Sequence, residues 1–280
     1  MKLKEGFYTS DQLPIDVYHS DRDTISQSGL KKIDQSPAHL RAYLDEPSDK
    51  KQTRGMFMGS AIHAAALEPH VFDDQYIVAP GKFDRLNAAG FKAWKEEQDP
   101  RKTIMLVKDY DKVLNMRKAL FDHPWVGPRL IGATTEYSCI ARDPETGVLC
   151  RVRFDIVTEA GMILDLKKTR DARDAALART IASYGYHVQN AFYLDVPTWL
   201  NSAPKGFGFV FIEEEPPHAI AVRFLNPDDI QRGRGEYRRT LTKYAECLAT
   251  DKWPAYDTEP QFISLPDWER RKIDLNLIGE

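Results

Sequence analysis

The sequence predicts a mixed α/β (α+β) fold, with a central mixed sheet flanked by helices and organised around one principal domain. Three observations predict it. Helical periodicity dominates the first 130 residues or so. Three runs of strand character, 134–141, 148–157 and 162–168, then succeed one another across short turns. Finally the helical pattern returns, is interrupted by a second pair of strands, and closes in a long basic helix.

Each element has a local reason. Thr24 or Ser26 can cap a short helix running to Ile33, and Ser36-Pro37 opens another, because proline suits the first helical turn. The polar stretch EPSDKKQTR (46–54) reads as a mobile loop. MFMGSAIHAAALEP is a compact apolar helix stopped at Pro69. Segments 85–98 and 108–122 read as charged amphipathic helices. In the middle, TTEYSCIA and the stretch Val148–Val157 are joined by the turn RDPETG, and Val157 connects to Met162–Lys168 through TEAG. Helices follow at 171–183 and 186–200. A second hairpin, Phe207–Glu214 with Ala219–Leu225, turns around Pro216-Pro217. The helix at about 227–249 leads to an irregular tail containing WPAY and LPDW. The expected organisation is a single domain over 1–280, with a helical segment at 1–55, a core at 56–225 and a C-terminal helix and tail at 226–280.

Composition narrows the function classes. With 42% hydrophobic and 29% charged residues the chain has the balance of a soluble protein with a real core. No apolar run approaches membrane-spanning length, and the N-terminal MKLKEGFYTSDQLPIDV has no apolar segment of a secretion signal. Cys139, Cys150 and Cys247 form no C-x-x-C pair, which suits a reducing cytoplasm and gives fewer thiolates than an iron–sulfur cluster takes. A net charge of −3 does not advertise nucleic-acid binding. Local basic clusters exist, however: Arg151 with Arg153, then Lys167 to Arg173, then Arg232 to Lys243.

The chemistry concentrates in RFDIVTEAGMILDLKKT, a D-x9-D-x-K run from Asp155 to Lys167. Asp165 and Lys167 stand two apart on a strand and share a face. A turn centred near Ala160 places Asp155 opposite Asp165, where facing Cβ atoms lie about 4.5–5.5 Å apart. Carboxylates held that close repel, and a divalent cation between them resolves the conflict. Oxygen ligands favour magnesium, with manganese able to substitute. A solvated hairpin also carries alternating charges, but Asp165 sits within MILDL and Asp155 within VRFDIV, and acids in apolar settings need partners. His63 ends a GSAIH run on an apolar helix, where Gly59 lets the helix approach a neighbour closely. Gln189 and Tyr193 share a helix face at i and i+4, and Glu136 supplies a further acid on the preceding strand.

With these runs in hand, the chain resembles the RecB-type branch of the PD-(D/E)xK nuclease superfamily, and within it the C-terminal nuclease domain of the exonuclease VIII (RecE) family and related phage exonucleases. The carrying motifs are G-x-x-x-H at Gly59–His63, R-x-R-x-D at Arg151–Asp155, D-L-K-K-T at Asp165–Thr169 and YHVQNAFY at Tyr186–Tyr193. The resemblance implies a restriction-endonuclease-like core. It also implies His63, Asp155, Asp165 and the Leu166 carbonyl as metal ligands, Lys167 as catalytic lysine, and Gln189 and Tyr193 as auxiliaries. Further implications are a Mg2+-dependent exonuclease resecting linear double-stranded DNA 5′ to 3′, a RecT-like single-strand annealing partner, and a homo-oligomeric ring, a tetramer in preference to a trimer. Two departures stand out: Ser36-Pro37 occupies the place of a cluster-binding Cys-Pro, and Ile163-Leu164 precedes Asp165 where the superfamily name has proline. A site-specific endonuclease on the same fold and a non-catalytic DNA-binding module are the competing readings.

Overall fold

The computed structural model describes residues 3–45 and 53–278; most of the loop expected at 46–54 falls outside them. A short strand β1 (Gly6–Tyr8) precedes α1 (Ile15–Ser20), α2 (Gln27–Leu30) and α3 (Pro37–Asp45). Ser26 caps α2 by accepting the Gly29 N–H at 3.3 Å. Next come α4 (Arg54–Leu67), α5 (Pro69–Gln75), β2 (Tyr76–Val78), α6 (Phe91–Glu96), β3 (Thr103–Met105), α7 (Val107–Asp122) and α8 (Gly127–Leu130). Thr53 caps α4 through the Met56 N–H at 3.2 Å. Pro69 does stop that helix, and it also opens α5 as its first residue.

The second half contains β4 (Thr134–Arg142), β5 (Leu149–Val157), β6 (Met162–Thr169), α9 (Asp174–Tyr184), α10 (Tyr186–Thr198), β7 (Gly206–Glu213), β8 (Ile220–Arg223), α11 (Pro227–Thr250) and α12 (Asp267–Ile278). The six-stranded sheet runs β1-β4-β5-β6-β7-β8, with β6 and β7 parallel and every other neighbouring pair antiparallel. A parallel pair needs a crossover, and α9 and α10 supply it. The mixed sheet flanked by helices is therefore as the sequence predicts.

Each face of the sheet carries its own core. Phe207, Phe209 and Phe211 alternate along β7 into a core with α10 and α11, through Phe192, Tyr237 and Leu241. Val210 and Ile212 point the other way, with Leu164 and Leu166 of β6, against Met58 and Ile62 of α4 and Val113 and Met116 of α7. Helices α10 and α11 touch at Gly233, where a Cβ would stand 2.2 Å from the His187 carbonyl oxygen. Only glycine permits that approach.

The structure departs from the sequence reading in places. The amphipathic segment at 85–98 is helical only over Phe91–Glu96, preceded by turns. The three-residue strands β1, β2 and β3 were not anticipated, and β2 and β3 pair with each other in parallel, outside the main sheet. The tail expected to be irregular carries α12.

Candidate metal centre and active site

The site lies where the β4–β5 ladder breaks. Thr135 pairs with Ile156 and Tyr137 with Phe154, but Glu136 and Asp155 between them do not pair. Glu136 has φ 48°, in the left-handed region that costs a non-glycine residue strain. Across the break the pleat changes sides: Phe154 faces the α10 core and Ile156 the α4/α7 core. Period-two reasoning from the sequence cannot see such a break.

The break frees two carboxylates to meet His63 of α4. Its Nε2 donates to the Leu166 carbonyl at 2.8 Å, and Nδ1 lies 3.7 Å from Asp155 Oδ2 and 3.9 Å from Glu136 Oε1. One ligand atom each from His63, Glu136 and Asp155 lies within 4.8 Å of the others. Asp155 Oδ2 also accepts the Leu166 N–H at 2.7 Å. The β5–β6 ladder ends at Ile156↔Leu164, so continuing its register sets Asp155 across from Asp165.

Asp165 stands beside the three-donor cluster and outside it. Gln189 Nε2 donates to its Oδ1 at 2.5 Å, and Lys167 Nζ is 2.5 Å from its Oδ2, an ion pair not aligned as a hydrogen bond. Lys167 also lies 5.1 Å over the Tyr186 ring. Tyr193 is set one helical turn beyond Gln189, its ring edge-on to Phe154 and Phe207 and its hydroxyl pKa raised by burial. All of the expected site residues therefore line one region, with Leu166 contributing backbone atoms only.

Burial sets the electrostatics. It pushes the Asp165 carboxyl up to about 6, with Lys167 opposing and Asp155 reinforcing the shift. Asp155 is raised for the same reason, against the attraction of His63 and Lys167. Burial works against a charged His63, but Asp155 and Glu136 outweigh it and raise the imidazole to about 9. Lys167 is likewise raised, since Asp165 and Asp155 overcome its desolvation. Three acids thus crowd a buried spot that two cations compensate.

The residues present fit a divalent cation. Donors of nitrogen, carboxylate and carbonyl type converge, and Asp165 Oδ2 is buried without an aligned hydrogen-bond donor. The PD-(D/E)xK nucleases as a class use divalent metals, and the cluster accords with that.

A cavity of about 730 Å3 opens on this region. Its wall includes Ser26 and Ser28, and with them Tyr18, His19, Tyr43 and Tyr76; these last four were not singled out from the sequence. Their only sequence signal was aromatic and hydroxyl residues scattered over helices too short for periodicity. Gly59 also lines the cavity, and a Cβ there would meet nothing within 4 Å, so it does not serve close helix packing as expected.

Two of the three basic clusters resolve into structural pairs. Arg151 donates to Asp21 and Thr24, and Arg153 to Ser138 and the Leu13 carbonyl, tying the N-terminal segment to β5. Along α11, Arg232 pairs with Asp229, Arg234 with Asp195, Arg238 with Asp143, Arg239 with Asp34 and Lys243 with Glu246. Cys139, Cys150 and Cys247 are buried and free. No helix among the described residues is long and apolar enough to cross a membrane.

Comparison with known proteins agrees with the fold. A crystal structure of an exonuclease candidate from Eubacterium rectale has a TM-score of 0.61 to this chain at 11% identity, covering 95% of this chain and 96% of that one; the likeness is one of fold. The crystal structure of SSO0001 reaches a TM-score of only 0.29 at 14% identity, covering 68% of this chain and 94% of that one, too low to bear on the argument. No curated protein matches the chain. The family model for the PDDEXK-like domain of unknown function (DUF3799) matches residues 26–264, and the chain belongs to that family.

Proposed function

We propose that the chain is a magnesium-dependent exodeoxyribonuclease that resects linear double-stranded DNA 5′ to 3′, leaving 3′ single-stranded tails for strand annealing in recombination. One observation carries the hydrolytic part: His63, Glu136 and Asp155 line one cavity, with the Leu166 carbonyl and the Asp165–Lys167 pair beside them. In this reading His63, Asp155, Asp165 and the Leu166 carbonyl hold the metal, with Glu136 next to them. When bound, the cation neutralises phosphoryl charge and acidifies a water.

The chain's own groups do the rest. Lys167 holds the scissile phosphate or orients the attacking water, because its ammonium stays protonated in a site dominated by acids. Gln189 fixes the Asp165 carboxylate through its 2.5 Å bond. Tyr193 supports Gln189 from the next turn of α10. Ser26 and Ser28 of the cavity wall suit a terminal phosphate, which favours an end-directed enzyme. Lys31, in the turn that follows them, donates to the Tyr184 carbonyl at 3.0 Å.

The finer assignments follow the motif resemblance to the exonuclease VIII family: polarity, a RecT-like annealing partner, a tetrameric ring and a cytoplasmic location. Digestion of linear duplexes labelled separately at each 5′ and 3′ end, with magnesium and with chelator, tests the reading. Loss of the 5′ label first, only with magnesium, is expected, and a covalently closed plasmid should survive. Cleavage of that plasmid would favour the endonuclease alternative, and no cleavage of any substrate would favour a non-catalytic module.

A further inference from the structure

One wall of the cavity that holds the metal cluster is cationic. Arg151 and Arg153 of β5 line it, together with Tyr18 and His19 of α1. Both guanidinium groups lie over the Tyr18 ring, 5.2 and 4.7 Å from its centre. Both arginines are buried, at 4% and 7% exposure. A buried charge is costly unless something neutralises it. Arg151 meets that need, since Asp21 Oδ2 lies 3.1 Å from its Nη1. Arg153 does not. Its Nε donates to Ser138 Oγ at 2.8 Å and its Nη2 to the Leu13 carbonyl, and both acceptors are neutral. Among the described residues no carboxylate pairs with Arg153, and its Nη1 has no hydrogen-bond partner.

Nothing else in this wall supplies the missing anion. Glu136 and Asp155 line the same cavity, but they lie 3.9 and 3.7 Å from His63 Nδ1 and belong to the metal cluster. Burial pushes the Tyr18 phenol up to about 12 against the pull of both arginines, so it stays a neutral hydroxyl. His19 registers the positive potential directly. Burial, and then Arg151, Arg153 and Arg22, hold its imidazole below the ordinary range. The cavity is therefore polarised, with acids around His63 and an unneutralised guanidinium on the wall beside them.

We propose that Arg153 seats a phosphate of the bound DNA strand, the neighbour of the phosphate that lies at the metal cluster; this deepens the nuclease reading and rests on it. A guanidinium matches a phosphate because its planar N–H groups meet the oxygens in charge-assisted hydrogen bonds. Spacing selects the neighbouring phosphate. Arg153 and Asp155 stand two residues apart on β5, about 6.5 Å along the strand, which is close to the step between successive phosphates of one nucleic-acid strand. One phosphate at the metal cluster and the next at Arg153 are then held together, and that pairing decides which phosphodiester bond the metal meets. The seated group is a terminal phosphate when a single nucleotide lies beyond the scissile bond, and an internal phosphodiester when more do. Both present the same anionic oxygens to Arg153.

The test neutralises one substrate phosphate at a time. Labelled duplexes carry a single uncharged methylphosphonate at successive positions from the 5′ end of one strand, and a further pair differs only in a 5′ phosphate or hydroxyl. Their binding to the full chain is measured by fluorescence anisotropy in chelator. In wild type one position should cost about tenfold or more in affinity, as expected for losing a hydrogen bond to a charged group. In Arg153→Gln, with folding checked by circular dichroism, the cost at that position should shrink to less than twofold while the others keep theirs. Where Arg153→Gln does not fold, Arg153→Lys keeps the buried charge without the planar fork, and the cost should fall at least threefold. Sensitivity at the 5′ phosphate assigns the seat to a strand end, and sensitivity at an internal position assigns it to the backbone. No sensitive position in wild type, or a cost unchanged in the folded variant, overturns the proposal. Cleavage is not the readout. A chain that binds in this pattern yet cuts nothing with magnesium overturns the nuclease reading alone, and one that cuts DNA without singling out a phosphate overturns the Arg153 seat alone.

Discussion

Asp165→Asn separates what the site needs for chemistry from what the fold tolerates. A buried carboxyl whose pKa rises from 3.8 to about 6 is harder to ionise in the folded state than in the unfolded one. At about 1.4 kcal/mol per unit, its ionisation costs on the order of 3 kcal/mol at neutral pH. Asparagine removes that charge and keeps an oxygen for Gln189. The attraction of Lys167, 2.5 Å away, is already contained in that raised value and is not subtracted again; what offsets the gain is the burial of the amide itself. We expect a net gain of about 1–2 kcal/mol for the variant in chelator at pH 8, a small share of a typical folding free energy yet readable in urea titrations.

The pH dependence gives the sign. Between pH 4 and 6 folded wild type binds more protons at Asp165 than the unfolded chain, so its stability falls as pH rises through that window. The variant lacks this slope, and the two curves should converge below about pH 4. His63, raised to about 9, contributes stability that is present below 6.5 and lost as pH rises through 9. Because both proteins keep His63, the comparison should be made as a difference between them. Nuclease activity of the variant should meanwhile fall at least a thousand-fold. An Asp165→Asn protein that is less stable than wild type by more than about 1 kcal/mol at pH 8 would refute the reasoning, because burial would then not raise the Asp165 carboxyl.

Three further outcomes follow from the same geometry. His63→Ala should remove most Mn2+ binding in calorimetry, since it deletes the donor between Leu166, Asp155 and Glu136; unchanged binding would take His63 out of the metal set. Lys167→Met should retain Mn2+ binding but lose at least a hundred-fold in single-turnover cleavage, and cleavage within tenfold of wild type would remove it from the mechanism. Gly233→Ala places a Cβ 2.2 Å from the His187 carbonyl and should destabilise by about 2–3 kcal/mol, displacing the helix that carries Gln189. A melting temperature within a degree of wild type would mean that α10 and α11 separate freely.

The legible part of this molecule is the part written in short-range pattern. The D-x9-D-x-K run specified its own hairpin, since TEAG closes a turn that fixes the register, and the β5–β6 ladder keeps that register at Ile156↔Leu164 and Val157↔Ile163. In the structure, alternation on β7 likewise divides its phenylalanines from its valine and isoleucine between two cores. What escaped is what several distant segments decide together. Glu136 reads as an ordinary strand glutamate, yet its φ of 48° opens the β4–β5 ladder and turns a carboxylate toward a helix more than 70 residues earlier. Arg151 and Arg153 read as a basic patch, but their guanidinium partners are residues 13–24 and Ser138, which no spacing rule connects to them. The same logic covers the three-residue strands: β2 and β3 pair only because the intervening chain returns Thr103–Met105 alongside Tyr76–Val78, and neither run is long enough to carry a period. A site assembled at a strained break in a ladder is therefore visible from sequence through its chemistry, as Asp155, Asp165, Lys167 and His63, and visible in its geometry only once the sheet is built.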